Sequence, residues 1–147
     1  MDSQVSIEID RPIEQVFNAA NECITEWSVT CVSDEIIEDK GGVGTTFRMV
    51  TQERGKEMEF TGEITSWDPP RHSAVYLVGT HFDIDTEFRF EDLGGRTRVS
   101  QRAIVHGRGF TKVMFALLGW VFNRSSCKAL DNELECLKNF CEARPEV

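Results

Sequence analysis

Between Phe110 and Cys141 the chain contains no proline, and Val113, Leu117, Trp120, Cys127, Leu130, Leu134, Leu137 and Cys141 recur at steps of three, four or seven. Side chains so spaced share one helix face. The pattern predicts a single helix of about 30 residues, about 45 Å long, with an apolar stripe along it. Arg144-Pro145 ends it. Only Arg124 interrupts the stripe, marking either a bend or a charge that points into the interior. Such a stripe must be buried on a complementary surface, and the rest of the chain has to supply one.

That surface is a sheet. Val5, Ile7 and Ile9 alternate with Ser6, Glu8 and Asp10, the period of a half-buried strand. Asp10 is placed to cap a helix with Pro12 in its first turn, and Ile13, Val16, Phe17 and Ala20 give that helix an apolar face. A short helical turn is expected over Glu22 to Trp27. Six strand segments then follow: Ser33–Asp39, Thr45–Glu53, Glu57–Trp67, Arg71–Val78, the run around Phe82 to Phe90, and Thr97–His106. Short turns such as Asp68-Pro69-Pro70 and Leu93-Gly94-Gly95 join them, which implies an antiparallel meander. Their alternation makes one face dry and the other wet, and the long helix covers the dry face.

A chain of 147 residues without linkers or repeats suits one domain over residues 1–147. With 40% apolar and 28% charged residues it has the composition of a folded protein. A net charge of −9 repels polyanions. The basic run Arg96, Arg98, Arg102 and Arg108 has no aromatic ladder for stacking bases, so nucleic acid is not expected as a partner. The polar, alternating opening Met1 to Asp10 reads as a strand and not as a secretory leader. Val113 to Phe122, the longest near-continuous apolar run, falls far short of the roughly 20 residues that span a bilayer, so membrane contact is at most transient. Five cysteines without a C-x-x-C pair read as reduced thiols, and the expected location is the cytoplasm.

Five segments carry a resemblance. These are Ile9-Asp10-Arg11-Pro12-Ile13-Glu14-Gln15-Val16-Phe17, Trp27, Gly42-Val43-Gly44-Thr45-Thr46-Phe47-Arg48, Ile64-Thr65-Ser66-Trp67-Asp68-Pro69-Pro70-Arg71 and Gly94-Gly95-Arg96-Thr97-Arg98-Val99. In this order they resemble the START-like superfamily, also called SRPBCC, which includes polyketide cyclases, lipid-transfer proteins and birch-pollen-allergen relatives. The resemblance implies an α+β helix-grip fold. In it a curved antiparallel sheet of six to seven strands wraps a long C-terminal helix, with two short helices after the first strand. It also implies a cavity between sheet and helix for a small hydrophobic molecule such as a lipid or polyketide.

Strand parity nominates the lining of that cavity. Phe47, Met49, Met58, Phe60, Phe82, Ile84, Phe88 and Ala103 should face inward, as should Val99 and Val105. From the helix, Val113, Leu117, Trp120 and Val121 should meet them. Filling the core is the plainer role for any one of these. Thr51, Thr86 and Gln101 share the inward parity, and a buried polar group needs a partner, whether internal or a ligand. Arg124 and Tyr76 are further ligand candidates. Tyr76 has ambiguous parity, because Val75, Tyr76, Leu77 and Val78 are all apolar or nearly so.

Catalytic signatures are sparse. There is no G-x-S-x-G elbow, and no histidine lies in a nucleophile motif. His81, Asp83, Asp85 and Glu87 share a strand face that reads as a solvated acidic surface and not as a metal site. Gly42-Val43-Gly44 lacks the third glycine of a dinucleotide fingerprint. Gly107-Arg108-Gly109 opens the long helix, either as a hinge or as an anion cradle. No cofactor is expected, and whether a reaction is catalysed stays open. The leading reading is a binding or carrier protein, monomeric or homodimeric. A cyclase/dehydrase-type enzyme and an interaction module with a filled cavity are the alternatives.

Overall fold

The structure, a computed structural model, describes residues 2–53 and 55–145, and for residues 53, 115, 116 and 118–126 the backbone alone. Strand β1 (Asp2–Ile9) leads into α1 (Ile13–Glu22) and the single turn α2 (Ile24–Trp27). Six strands follow: β2 (Cys31–Glu38), β3 (Thr46–Glu53), β4 (Lys56–Asp68), β5 (His72–Val78), β6 (Phe82–Asp92) and β7 (Thr97–Gly107). Helix α3 (Phe110–Glu142) closes the chain. The seven strands form one curved antiparallel sheet in the order β1-β7-β6-β5-β4-β3-β2. β1 and β2 are its free edges, and β1 reaches its place by crossing to β7.

The first corner departs from the expected capping. Pro12, not Asp10, occupies the position before α1, and no side chain caps the helix. Asp10 instead donates its backbone N–H to the Glu142 carboxylate at 2.9 Å. Arg11 turns its guanidinium onto the other end of the molecule, donating to the carbonyls of Glu142 (2.8 Å) and Arg144 (2.8 Å). The last carbonyls of α3 lack partners within the helix and carry its negative end, so a cation there satisfies both needs.

The inner face divides into two apolar regions. In the first, Ile13, Val16, Phe17 and Ala20 of α1 and Leu134, Leu137 and Cys141 of α3 close over Ile9, Phe90 and Val99 of the sheet. Phe17 sets its edge against both Trp67 and Phe90, at 5.2 Å in each case. Trp27 is buried here and donates its indole N–H to the Ala19 carbonyl at 2.8 Å. This region is dry and packed. In the second, Cys31, Phe47, Met49, Phe60 and Leu77 are buried, with Met58, Ile64, Val75, Phe82 and Ile84 partly so. Among the described residues, none from α1 or from the C-terminal half of α3 joins this second region.

Candidate functional site

Directly paired residues of antiparallel strands share a face, so the register settles which side chains look inward. One cross-strand row runs Val105–Ile84–Leu77–Gly62–Phe47. The next runs Ala103–Thr86–Val75–Ile64, and the one beyond it Gln101–Phe88–Ser73–Trp67. Met49 faces Phe60, and Met58 faces Thr51. The inward expectations for Phe47, Met49, Met58, Phe60, Phe82, Ile84, Thr86, Phe88, Gln101 and Ala103 therefore describe one continuous surface.

Val75, Ile84, Thr86, Phe88 and Gln101 lie on interior strands and point inward, yet each is only partly buried. Phe88 packs against the first apolar region, and Val75 and Ile84 against the second. At the end formed by the start of β4 and the β5–β6 turn, a cleft of about 260 Å³ opens, lined by Met58, Phe60 and Phe82 together with Lys56, Glu57, Glu59, Thr80 and His81. The inner face is thus a largely apolar surface with a cleft at its Met58 end.

The opposite end is polar but uncharged among the described residues. Gln101 Nε2 donates a long bond of 3.4 Å to Thr86 Oγ1, while its Oε1 is buried with no partner. The Ser73 hydroxyl, one strand beyond Phe88 in the same row, is also buried without a partner, as is that of Thr51 near the opening. Buried polar atoms without partners are uncommon in folded proteins and cost stability. Ser73 escaped the parity reading because nothing in the run Arg71 to Val78 marks it off from a surface serine.

Asp34 was missed as well. It pairs with Met49 and so shares the inner face, at its margin on edge strand β2, where it stays exposed. Loss of solvent raises its carboxyl pKa above the ordinary value. Burial pushes the neighbouring Cys31 thiol up to about 11, with Asp34 adding to the effect. Two register shifts in β2, between Cys31 and Ser33 and between Ile36 and Glu38, break the alternation that would have revealed Asp34.

Three expectations are corrected. Tyr76 pairs with Asp85 and lies on the outer face, where its phenol donates to Asp83 at 3.0 Å and its ring stacks on His106. The hydrogen bond to Asp83 raises its pKa. Val113 and Leu117 are 54% and 73% exposed, so the first half of α3 turns these two away from the sheet. α3 rests chiefly on β1 and β7, through its second half. Trp120, Val121 and Arg124 lie outside the residues whose side chains are described.

Elsewhere several polar groups engage one another. Arg108 donates to the Gly79 carbonyl at 2.6 Å and pairs with Asp83, tying the β5–β6 turn to the start of α3. The guanidinium considered as an anion cradle is therefore already bound. On the outer face Ser66 Oγ lies 2.7 Å from His72 Nδ1, and His72 Nε2 lies 2.8 Å from Glu87, which also takes Arg89. This line braces the register shift between Ile64 and Ser66. Among the described residues no group of three or more His, Cys, Asp or Glu is placed to hold a metal ion. No helix is long and apolar enough to cross a membrane, among the same residues.

Known proteins share this architecture. TTHA0849 from Thermus thermophilus superposes with a TM-score of 0.81 at 18% identity, covering 97% of this chain and 98% of that one. A START superfamily protein from Mycobacterium smegmatis gives 0.82 at 13% identity, with 97% of each chain covered. The Zhui aromatase/cyclase from Streptomyces sp. R1128 gives 0.75 at 14% identity, over 98% and 94%. At these identities the likeness is one of fold. Among curated proteins none matches by sequence. The family model described as polyketide cyclase / dehydrase and lipid transport matches residues 2–135. The chain therefore belongs to the polyketide cyclase/dehydrase and lipid-transport family, in its START-like, helix-grip form.

Proposed function

We propose that the protein binds or carries a small, largely apolar molecule in the chamber between the sheet and α3. The observation that supports this reading is that Ile84, Thr86, Phe88 and Gln101 face inward from the interior of the sheet and yet are only partly buried. Apolar walls with a few convergent polar groups are the usual form of a small-molecule site. Lipid transport stands beside cyclase chemistry in the family description. The uncharged polar end supports a carrier over a cyclase. Enolising a ketone needs an acid or base near the reacting carbon; among the described residues Gln101, Thr86 and Ser73 offer neither, and the carboxyl on the inner face, Asp34, lies away from them on edge strand β2.

The test is native mass spectrometry of gently purified protein, together with titration of the neutral fluorophore N-phenyl-1-naphthylamine. A one-to-one apolar adduct, or saturable probe enhancement lost in Ala103→Trp, is the expected result. Ala103 sits beside Thr86 in the chamber wall, so the indole would occupy the space. Clean apo protein that ignores the probe would overturn the carrier reading.

A further inference from the structure

The charges of the chain are unevenly placed. Between Asp92 and Asp131 lie seven arginines and lysines and no acidic residue, although the net charge of the whole is −9. On β7 and just beyond it, Arg98, Arg102 and Arg108 are already paired with carboxylates of the sheet. Lys112 and Lys128 of α3 are exposed, and neither enters an ion pair among the described residues. The same half of the helix leaves apolar side chains in water. Phe110, Val113 and Leu117 are 76%, 54% and 73% exposed. Their spacing of three and four residues sets them on one side of the helix over about 10 Å, and Lys128 returns to that side about three turns later. Large apolar groups left in water along one face mark a surface that meets something else.

The charges decide what that is. A second copy of the chain would bring the same unpaired lysines into opposition. An acidic protein would satisfy the lysines but would need a groove shaped to a convex helix. An anionic lipid bilayer meets both needs. Its headgroups attract each cation near the surface, and its acyl boundary takes Phe, Val and Leu side chains without a preformed pocket. Beyond Lys128 the helix turns acidic, with Asp131, Glu133 and Glu135, so contact is confined to the first half. At the near end Asp83 is paired with Arg108 and Glu59 with Arg48, and Glu57 stands with Lys56 and His81 in the wall of the cleft. The cleft lies at this end because Arg108 donates its backbone N–H to the His81 carbonyl at 3.1 Å, just before α3 begins. A molecule docked on this face would therefore hold the cleft beside lipid.

We propose that the first half of α3 docks reversibly on an anionic lipid bilayer, with Phe110, Val113 and Leu117 set into the acyl boundary and the unpaired lysines held by the headgroups. The docking does not depend on whether the protein carries a ligand. The test is flotation of the full chain with vesicles of phosphatidylcholine alone, and of phosphatidylcholine and phosphatidylglycerol in equal amounts. The protein should float with the anionic vesicles and stay behind with the neutral ones. Raising salt from about 0.1 M to about 1 M, which shortens the Debye length from about 10 Å to about 3 Å, should release it. Phe110→Gln with Leu117→Gln should weaken binding at least about tenfold, and Lys128→Glu about tenfold. These side chains are exposed, so the variants should melt with the wild type. Arg71→Glu is the same charge reversal at an exposed turn beyond the other end of β5, and it should leave binding unchanged. Absence of flotation with the anionic vesicles overturns the proposal. So does binding that survives the apolar pair and Lys128→Glu, or a loss in Arg71→Glu as large as that in Lys128→Glu. A dimer in sedimentation velocity that Phe110→Gln with Leu117→Gln dissolves would assign the face to a second copy and overturn it as well.

Discussion

Gly62 on β4 stands directly opposite Phe47 on β3, and a methyl group added at 62 would lie 2.3 Å from the Phe47 ring. The ring fills the place a side chain would take. It is the free end of its residue, with the chamber on its other side. Gly62→Ala is therefore expected to push the ring into the chamber, costing about 1–3 kcal/mol of stability and lowering probe affinity about tenfold. Thermal melting and N-phenyl-1-naphthylamine titration measure the two effects. Unchanged affinity would mean that the ring yields in another direction.

Two buried hydroxyls should respond oppositely to removal. Thr97, 0% exposed, donates to the Arg11 carbonyl at 2.8 Å, whereas Ser73, 2% exposed, has no partner. Thr97→Val should cost about 1–2 kcal/mol by leaving a carbonyl unpaired. Ser73→Ala should be neutral or stabilising by up to about 1 kcal/mol in ligand-free protein. Urea denaturation of both variants decides the matter. A loss at Ser73 as large as that at Thr97 would show that its hydroxyl already has a partner.

Arg11 joins the start of α1 to the end of α3 through the carbonyls of Glu142 and Arg144. Lysine cannot reproduce a planar fork that reaches two carbonyls. Arg11→Lys is expected to lose about 1–2 kcal/mol, with faster amide exchange confined to the last turn of α3. Exchange that stays at the wild-type rate would assign the anchoring to the apolar contacts of Leu137 and Cys141 alone.

The same corner should loosen in acid. The backbone N–H of Asp10, and then Lys138, stabilise the Glu142 carboxylate and hold its pKa below the ordinary 4.5. Because the folded value is the lower one, this contribution is fully present above the ordinary value and is lost as pH falls through the folded one. Amide exchange in β1 and the end of α3 should rise between about pH 5 and 3, and Glu142→Gln should flatten that rise. A pH response that persists in the variant would point to another carboxylate.

Most of the inward-facing surface was legible because β3, β4, β6 and β7 keep a strict two-residue period against a wet outer face. Tyr76 was not, since the apolar run Val75 to Val78 hides which side is dry, and only pairing with Asp85 decides it. The helix misled in a different way. The stripe from Val113 to Cys141 is continuous, but periodicity does not say how far the sheet extends beneath it. The packed contact belongs to Leu134, Leu137 and Cys141, while Val113 and Leu117 are exposed. Asp34 was concealed by the two irregularities of β2, which no local propensity announces.

Those irregularities bear on how the molecule behaves in a crowd. β2 is a free edge that exposes Val32, Ile36 and Ile37, the kind of strand on which another chain grows a ladder. A newcomer would have to match a backbone whose spacing slips twice within eight residues. It would also meet Asp34, Glu35 and Glu38 along the way. A second copy would bring the same acids into opposition, so concentrated protein should stay dispersed on this side even though its most apolar surface strand is uncovered.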